Sequence, residues 1–100
     1  PTGWGGPWYR TPVKADEPSD PFLMTGFEGK CVHLSHNTGE SVAFTLQVDF
    51  CGDGDWHTLA EVEVPADGYR PYHFEPGFSA HWVRFIAGRD CEASAQLHYV

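Results

Sequence analysis

Residues 41–50, SVAFTLQVDF, alternate between apolar and polar side chains with the period of two that is typical of a half-buried β-strand. One face of this strand would consist of Val42, Phe44, Leu46, Val48 and Phe50. A strand with one apolar face has to be covered by a second layer of structure. The stretch therefore predicts one strand of a layered β fold.

Five more stretches favour strands, at residues 29–36, 57–65, 70–74, 80–88 and 91–100. Pro71 marks 70–74 as an edge strand or a strand start, because proline donates no ladder hydrogen bond. Turn residues recur about every 8–12 positions, the spacing of a sandwich or barrel, and no helix longer than one turn is indicated. We expect an all-β fold: a compact jelly roll, or sandwich, of two antiparallel sheets with roughly six to eight strands.

The N-terminal segment differs in composition from the rest of the chain. Residues 1–21 contain five prolines and three glycines, so a regular helix or strand is not expected there. The same segment contains Trp4, Trp8 and Tyr9, which a flexible linker rarely carries. We predict an ordered aromatic arm over 1–21, laid on the domain or on a partner chain, and one jelly-roll domain over 22–100.

Charge limits the classes of partner. The formal net charge is −8, so the chain repels nucleic-acid phosphates and anionic lipid, whereas a neutral polysaccharide is compatible with it. No apolar run approaches the roughly 20 residues of a membrane-spanning helix. Of the three cysteines, Cys51 and Cys91 lie beside turns and could pair, while Cys31 falls inside a strand pattern and is expected to be a small buried residue.

Histidine is abundant, and imidazole is a common protein ligand for transition metals. The six are His33, His36, His57, His73, His81 and His98. The stretch HLSHNTGE brings two of them close to Glu40 at a strand end, and Gln47 is a polar residue in the middle of the most regular strand. For any single histidine, an exposed or hydrogen-bonded strand position is the alternative to metal binding.

The pattern H-x-x-H-x-x-x-E at 33–40, followed by VPADGYRPYHF at 64–74, resembles the two motifs of the cupins over residues 29–86. Cupins usually have H-x-H, whereas this chain has H-x-x-H, and residues three apart on a strand point to opposite faces. Either a bulge or turn reorients His36, or only one of the two histidines binds the metal. The resemblance implies a mononuclear metal site, and the affinity order favours copper over iron or zinc. The implied ligands are His36, His73 and His33, with Glu40 and Gln47 as further candidates.

Size and histidine content are also similar to those of the small copper-dependent cupins that cleave cellulose oxidatively. Three stretches, at 3–26, 45–69 and 78–99, also look like a compact β-domain of bacterial carbohydrate-metabolism proteins. These resemblances imply a secreted or extracellular bacterial homodimer that cleaves cellulose with copper and peroxide. Trp82, Tyr72 and Trp56 would then stack on the sugar.

Two other functions are alternatives to oxidative cleavage, which we place slightly ahead of them. A non-catalytic carbohydrate-binding or accessory β-sandwich requires only an aromatic platform, which four tryptophans and four tyrosines could supply. A purely structural appendage beside a catalytic neighbour is a third possibility. Glycoside hydrolysis is disfavoured, because it needs two carboxylates flanking one bond and the acidic residues here fall in turns.

Overall fold

The computed structural model describes residues 3–23, 30–74 and 81–99, and in these ranges the regular structure is entirely β. Within them there is no helix of the length and apolar character needed to cross a bilayer. The described ranges contain eight strands: β1 (Gly3–Val13), β2 (Phe22–Leu23), β3 (Lys30–His36), β4 (Val42–Asp49), β5 (His57–Val64), β6 (Tyr69–His73), β7 (Trp82–Ala87) and β8 (Cys91–Tyr99).

The strands form two antiparallel sheets of four. The first sheet has the order β1-β8-β3-β6 and the second has the order β2-β7-β4-β5. The chain changes sheet at every connection except the one between β4 and β5, which gives the strand order of an eight-stranded jelly roll. The predicted all-β sandwich is confirmed, and β6, which contains Pro71, is an edge strand as expected.

The core lies between the inner faces of the two sheets. The alternation in residues 41–50 predicted a buried face of five apolar residues. Four of them are buried: Val42, Phe44, Leu46 and Val48. Phe50 is 49% exposed, because β4 ends at Asp49 and the chain turns away from the core. The prediction that Phe50 shares the buried face is therefore wrong.

The N-terminal segment forms a strand, contrary to expectation. β1 pairs with β8 as an edge strand with two irregularities in register, which is where a sheet tolerates proline. A Cβ on Gly6 would lie 2.0 Å from the carbonyl oxygen of Ala95, so glycine permits the close approach. Trp8 is only 5% exposed, and its ring centre lies 6.3 Å from that of Phe44 across the sandwich.

All three cysteines are free thiols, so Cys51 and Cys91 do not form a disulfide. Cys51 is exposed, whereas Cys31 and Cys91 are partly buried. Burial raises the pKa of the Cys31 thiol, and burial together with the Asp90 carboxylate raises that of Cys91. Neither partly buried thiol is therefore poised as a thiolate near neutral pH.

Candidate functional site

A row of polar side chains crosses the outer face of the second sheet on β7, β4 and β5. Val83 and Phe85 are buried, so Arg84 between them points outward by strand alternation. Its Nε donates a hydrogen bond of 2.8 Å to Gln47 Oε1. Gln47 Nε2 in turn donates a bond of 3.3 Å to Thr58 Oγ1. Three neighbouring strands thus present one connected polar row to solvent.

Two tryptophans accompany this row. Trp82 lies two residues before Arg84 on the same face of β7, and Trp56 comes from the loop that leads into β5. The guanidinium carbon of Arg84 lies 4.4 Å from the centre of the Trp56 ring, and both tryptophans are half-buried. We call Gln47, Trp56, Thr58, Trp82 and Arg84 the tryptophan face.

The loop that carries Trp56 is organised around one carboxylate. Asp49 Oδ1 accepts the backbone N–H groups of residues 51, 52 and 53 at 3.2, 2.8 and 3.3 Å. Its Oδ2 accepts the N–H of Gly54 at 2.8 Å. Gly52 and Gly54 have φ angles of 77° and 83°, a conformation that glycine adopts without strain. The sequence CGDG is thus matched to a tight loop folded over Asp49.

Asp49 is an ionised anchor for this loop. Burial alone would raise the pKa of its carboxyl group, but the four backbone N–H donors outweigh burial and hold the pKa below its ordinary value. The backbone carbonyl of Asp49 also accepts the N–H of His81 at 2.9 Å, and the His81 ring packs edge-on against Trp82. One residue therefore connects the loop bearing Trp56 to the start of β7.

A second cluster occupies the outer face of the first sheet. In the register of β6, β3 and β8, Cys31 lies opposite His73 on one side and opposite His98 on the other. His33 follows two residues later on the same outward face of β3, because Val32 and Leu34 are buried. We call Cys31, His33, Tyr69, His73 and His98 the histidine face.

His33 lies at the centre of contacts on this face. Its Nδ1 is hydrogen-bonded to the Tyr69 hydroxyl, and the two rings stack with centres 5.6 Å apart. The ring of His98 lies 6.4 Å away on the other side. Burial, then the charges that His98 and His73 would carry, lower the pKa of His33, so its neutral form is favoured at neutral pH.

His36, the first of the predicted metal ligands, points into the sandwich. It is 7% exposed, with its Nε2 3.1 Å from the carbonyl oxygen of Val64. Its Nδ1 lies 3.1 Å from the backbone nitrogen of Thr38 and accepts that N–H, so Nε2 carries the ring proton and donates to Val64. Both ring nitrogens of His36 are thus engaged in hydrogen bonds. The ring lies on the opposite side of β3 from that of His33.

The five predicted ligands are not brought together. His33 and His73 share the histidine face, but Glu40 forms an ion pair of 2.7 Å with Arg89, and Gln47 belongs to the second sheet. Across residues 3–23, 30–74 and 81–99, no three His, Cys, Asp or Glu side chains are arranged as a ready metal site. The residues do not fit the copper site that the cupin resemblance implies.

The predicted sugar-binding aromatics separate as well. Trp82 and Trp56 lie on the tryptophan face, whereas Tyr72 faces inward opposite buried Val32 and packs edge-on against Phe74 at 5.2 Å. Sequence reasoning missed Arg84 and Thr58. The alternation in HWVRF puts Trp82 and Arg84 on one face of a strand, and that signal could have identified Arg84.

Comparison with known proteins shows the fold alone. No protein-family model and no curated protein matches the chain. Among solved structures, the chain is similar to PirA, with a TM-score of 0.54 and 14% identity over 99% of this chain and 93% of that one. The coat protein of Tobacco streak virus has a TM-score of 0.45 and 11% identity, over 97% of this chain and 83% of that one.

Proposed function

We propose that this protein is a non-catalytic module that binds a neutral polysaccharide, such as cellulose, through the tryptophan face. The observation that carries the proposal is the stacking of Trp56 on Arg84 at 4.4 Å, in line with Gln47 and Thr58. The guanidinium occupies one side of the indole, so a sugar ring would stack on the other. The stacked pair also fixes the orientation of the ring before any ligand arrives.

The chemistry of this face suits a sugar. A pyranose has apolar C–H faces and a rim of hydroxyl groups, so it needs an aromatic surface beside donors and acceptors. Trp56 and Trp82 supply the surface, and Arg84, Gln47 and Thr58 supply donors and acceptors. The net charge of −8 disfavours polyanionic glycans and is compatible with neutral ones.

Oxidative cleavage of cellulose by a copper-containing homodimer stays a prediction, which comes from the resemblance to small copper-dependent cupins. That reaction requires the metal ligands to lie beside the ring that holds the sugar. His33 and His73 lie on the outer face of the first sheet, whereas Trp56 and Trp82 lie on the outer face of the second. Stacked sheets are about 10 Å apart, and the outer faces are farther apart still. The geometry therefore favours binding over cleavage.

The test is depletion of the protein from solution by microcrystalline cellulose, together with affinity electrophoresis in gels containing soluble neutral β-glucan, xylan or mannan. The parent should bind at least one of these polymers, and Trp56→Ala and Trp82→Ala should each weaken that binding. Tyr9→Ala is the matched control, because Tyr9 is an aromatic residue that is 67% exposed on β1 in the other sheet.

Two results would overturn the proposal. One is a parent protein that binds none of the four polymers. The other is binding that persists in Trp56→Ala and Trp82→Ala but is lost in Tyr9→Ala. Near-ultraviolet circular dichroism of each variant would show that the fold is intact, so that lost binding reports on the face.

A further inference from the structure

The histidine face is not used by the proposed sugar site and needs its own explanation. His73, on β6, and His98, on β8, lie opposite the same residue, Cys31 of the central strand β3. Neighbouring strands are about 4.8 Å apart, so two strand spacings, or about 10 Å, separate the backbones of the two histidines. Side chains rising from both sides can meet above β3, where His33 also projects.

Two of the three imidazoles already lie in ring contact. The rings of His33 and His98 lie 6.4 Å apart and are inclined by 30°. The charges that His98 and His73 would carry act on His33 and, after burial, are the further causes that lower its pKa.

The contact with Tyr69 adds a feature that is common around metal-binding histidines. Such a histidine usually donates the proton of its other ring nitrogen to a fixed oxygen, which sets the tautomer and the ring orientation. Here Nδ1 of His33 is hydrogen-bonded to the Tyr69 hydroxyl. When Nδ1 carries the proton, Nε2 holds the lone pair that a metal would take.

We propose that His33, His73 and His98 together bind one divalent transition-metal ion of the zinc and copper class on the outer face of the first sheet. The rings share the face but do not converge on one point, and His73, which is exposed, completes the set by turning about its side-chain bonds. Cys31 lies between His73 and His98 in the strand register. This site is distinct from a cupin centre, which lies inside the barrel, and it is independent of the proposed sugar binding.

The experiment is a calorimetric titration of the full reduced chain with zinc(II) near neutral pH. The parent should bind one zinc ion per chain. Removing a residue that only hydrogen-bonds to a metal ligand typically weakens metal binding by about 10–100-fold. Removing a ligand itself, in His33→Gln, His73→Gln or His98→Gln, should therefore weaken zinc binding by at least about tenfold. Cobalt(II) absorption would show whether the Cys31 thiolate participates, since a thiolate adds a charge-transfer band that Cys31→Ser would abolish.

Two control variants separate this site from other zinc-binding groups. His57→Gln removes an exposed histidine of the second sheet that lies 3.3 Å from Asp55, and Cys51→Ser removes the exposed thiol. Both variants should bind zinc as the parent does. The proposal is overturned if the parent shows no saturable binding, if binding is unchanged in His33→Gln and His98→Gln, or if Cys51→Ser abolishes it. Unchanged binding in His73→Gln would contradict the three-histidine set.

Discussion

Arg84 packs its guanidinium carbon 4.4 Å from the centre of the Trp56 ring while its Nε donates to Gln47 at 2.8 Å. A single side chain on β7 therefore fixes both a loop tryptophan and the amide of the neighbouring strand β4. The tryptophan face depends on this contact, because Trp56 comes from a loop and not from the sheet itself.

Replacing Arg84 with alanine should weaken glycan binding without unfolding the chain. A cation–π contact contributes about 0.5–2 kcal/mol, which corresponds to roughly 2- to 30-fold in affinity. Arg84→Lys should lie between Arg84→Ala and the parent, because lysine keeps the charge but loses the planar group that stacks. Calorimetry or affinity electrophoresis would measure the change. Arg70→Ala, an exposed arginine of the other sheet, should leave binding unchanged, and an equal loss there would contradict the assignment.

Asp49 should make stability depend on pH. Its folded-state pKa is lowered, so its contribution is present above the unfolded pKa of about 3.9 and is lost as the pH falls through the folded value. Asp49→Asn keeps one carbonyl oxygen, but its NH₂ group cannot accept the N–H of Gly54. The melting temperature of the variant should lie below that of the parent at neutral pH, and the gap should close in acid.

The control for that series is Glu61→Gln, which neutralises an exposed carboxylate on β5. Its melting curve should follow the parent over the same pH range. A gap between Asp49→Asn and the parent that stays constant down to strongly acidic pH would show that the charge of Asp49 does not hold the loop.

Phe44 and Phe50 offer a matched pair for the packing of the core. Phe44 is fully buried, and its ring centre lies 6.3 Å from that of Trp8, whereas Phe50 is 49% exposed. Phe44→Ala should lower the free energy of unfolding by about 3–5 kcal/mol, because it leaves a cavity between the sheets. Phe50→Ala should cost much less. Urea unfolding would measure both, and equal losses would contradict the described end of β4.

His36 should act as a structural residue. His36→Ala removes the hydrogen bonds to Val64 and Thr38, and it should lower the free energy of unfolding by about 1–3 kcal/mol. Exposed His73→Ala should stay within about 0.5 kcal/mol of the parent. Chemical denaturation would compare the two. If His36→Ala still binds zinc, His36 has a structural role. If the folded variant no longer binds zinc, His36 is a metal ligand.

Much of the fold could be predicted, because strand alternation is a local property of the sequence. The period of two in residues 41–50 placed β4, and turn residues bounded five other strands. The sequence does not predict β1, because its prolines and glycines locally disfavour a strand. The strand forms because it pairs with β8 at a sheet edge and buries Trp8. β2 has only two residues and carries no periodic signal.

The candidate sites were harder to predict, because they depend on which sheet and which face each strand presents. The spacing of His33 and His36 put the two on opposite faces of one strand, as the structure shows. The proximity of His98 to His33 is a cross-strand relationship between residues 65 positions apart, which no local motif encodes. The contact between Arg84 and Trp56 likewise required the register of β7 on β4.

The most direct test of glycan binding by the tryptophan face is an NMR titration of the isotope-labelled full chain with cellohexaose, xylohexaose and mannohexaose. For at least one of these neutral oligosaccharides, the indole N–H signals of Trp56 and Trp82 and the Nε–H signal of Arg84 should shift saturably. The imidazole signals of His33 and His98, on the other outer face, should stay in place. Saturable shifts confined to the histidine face, or no saturable shift with any of the three oligosaccharides, would contradict glycan binding by the tryptophan face.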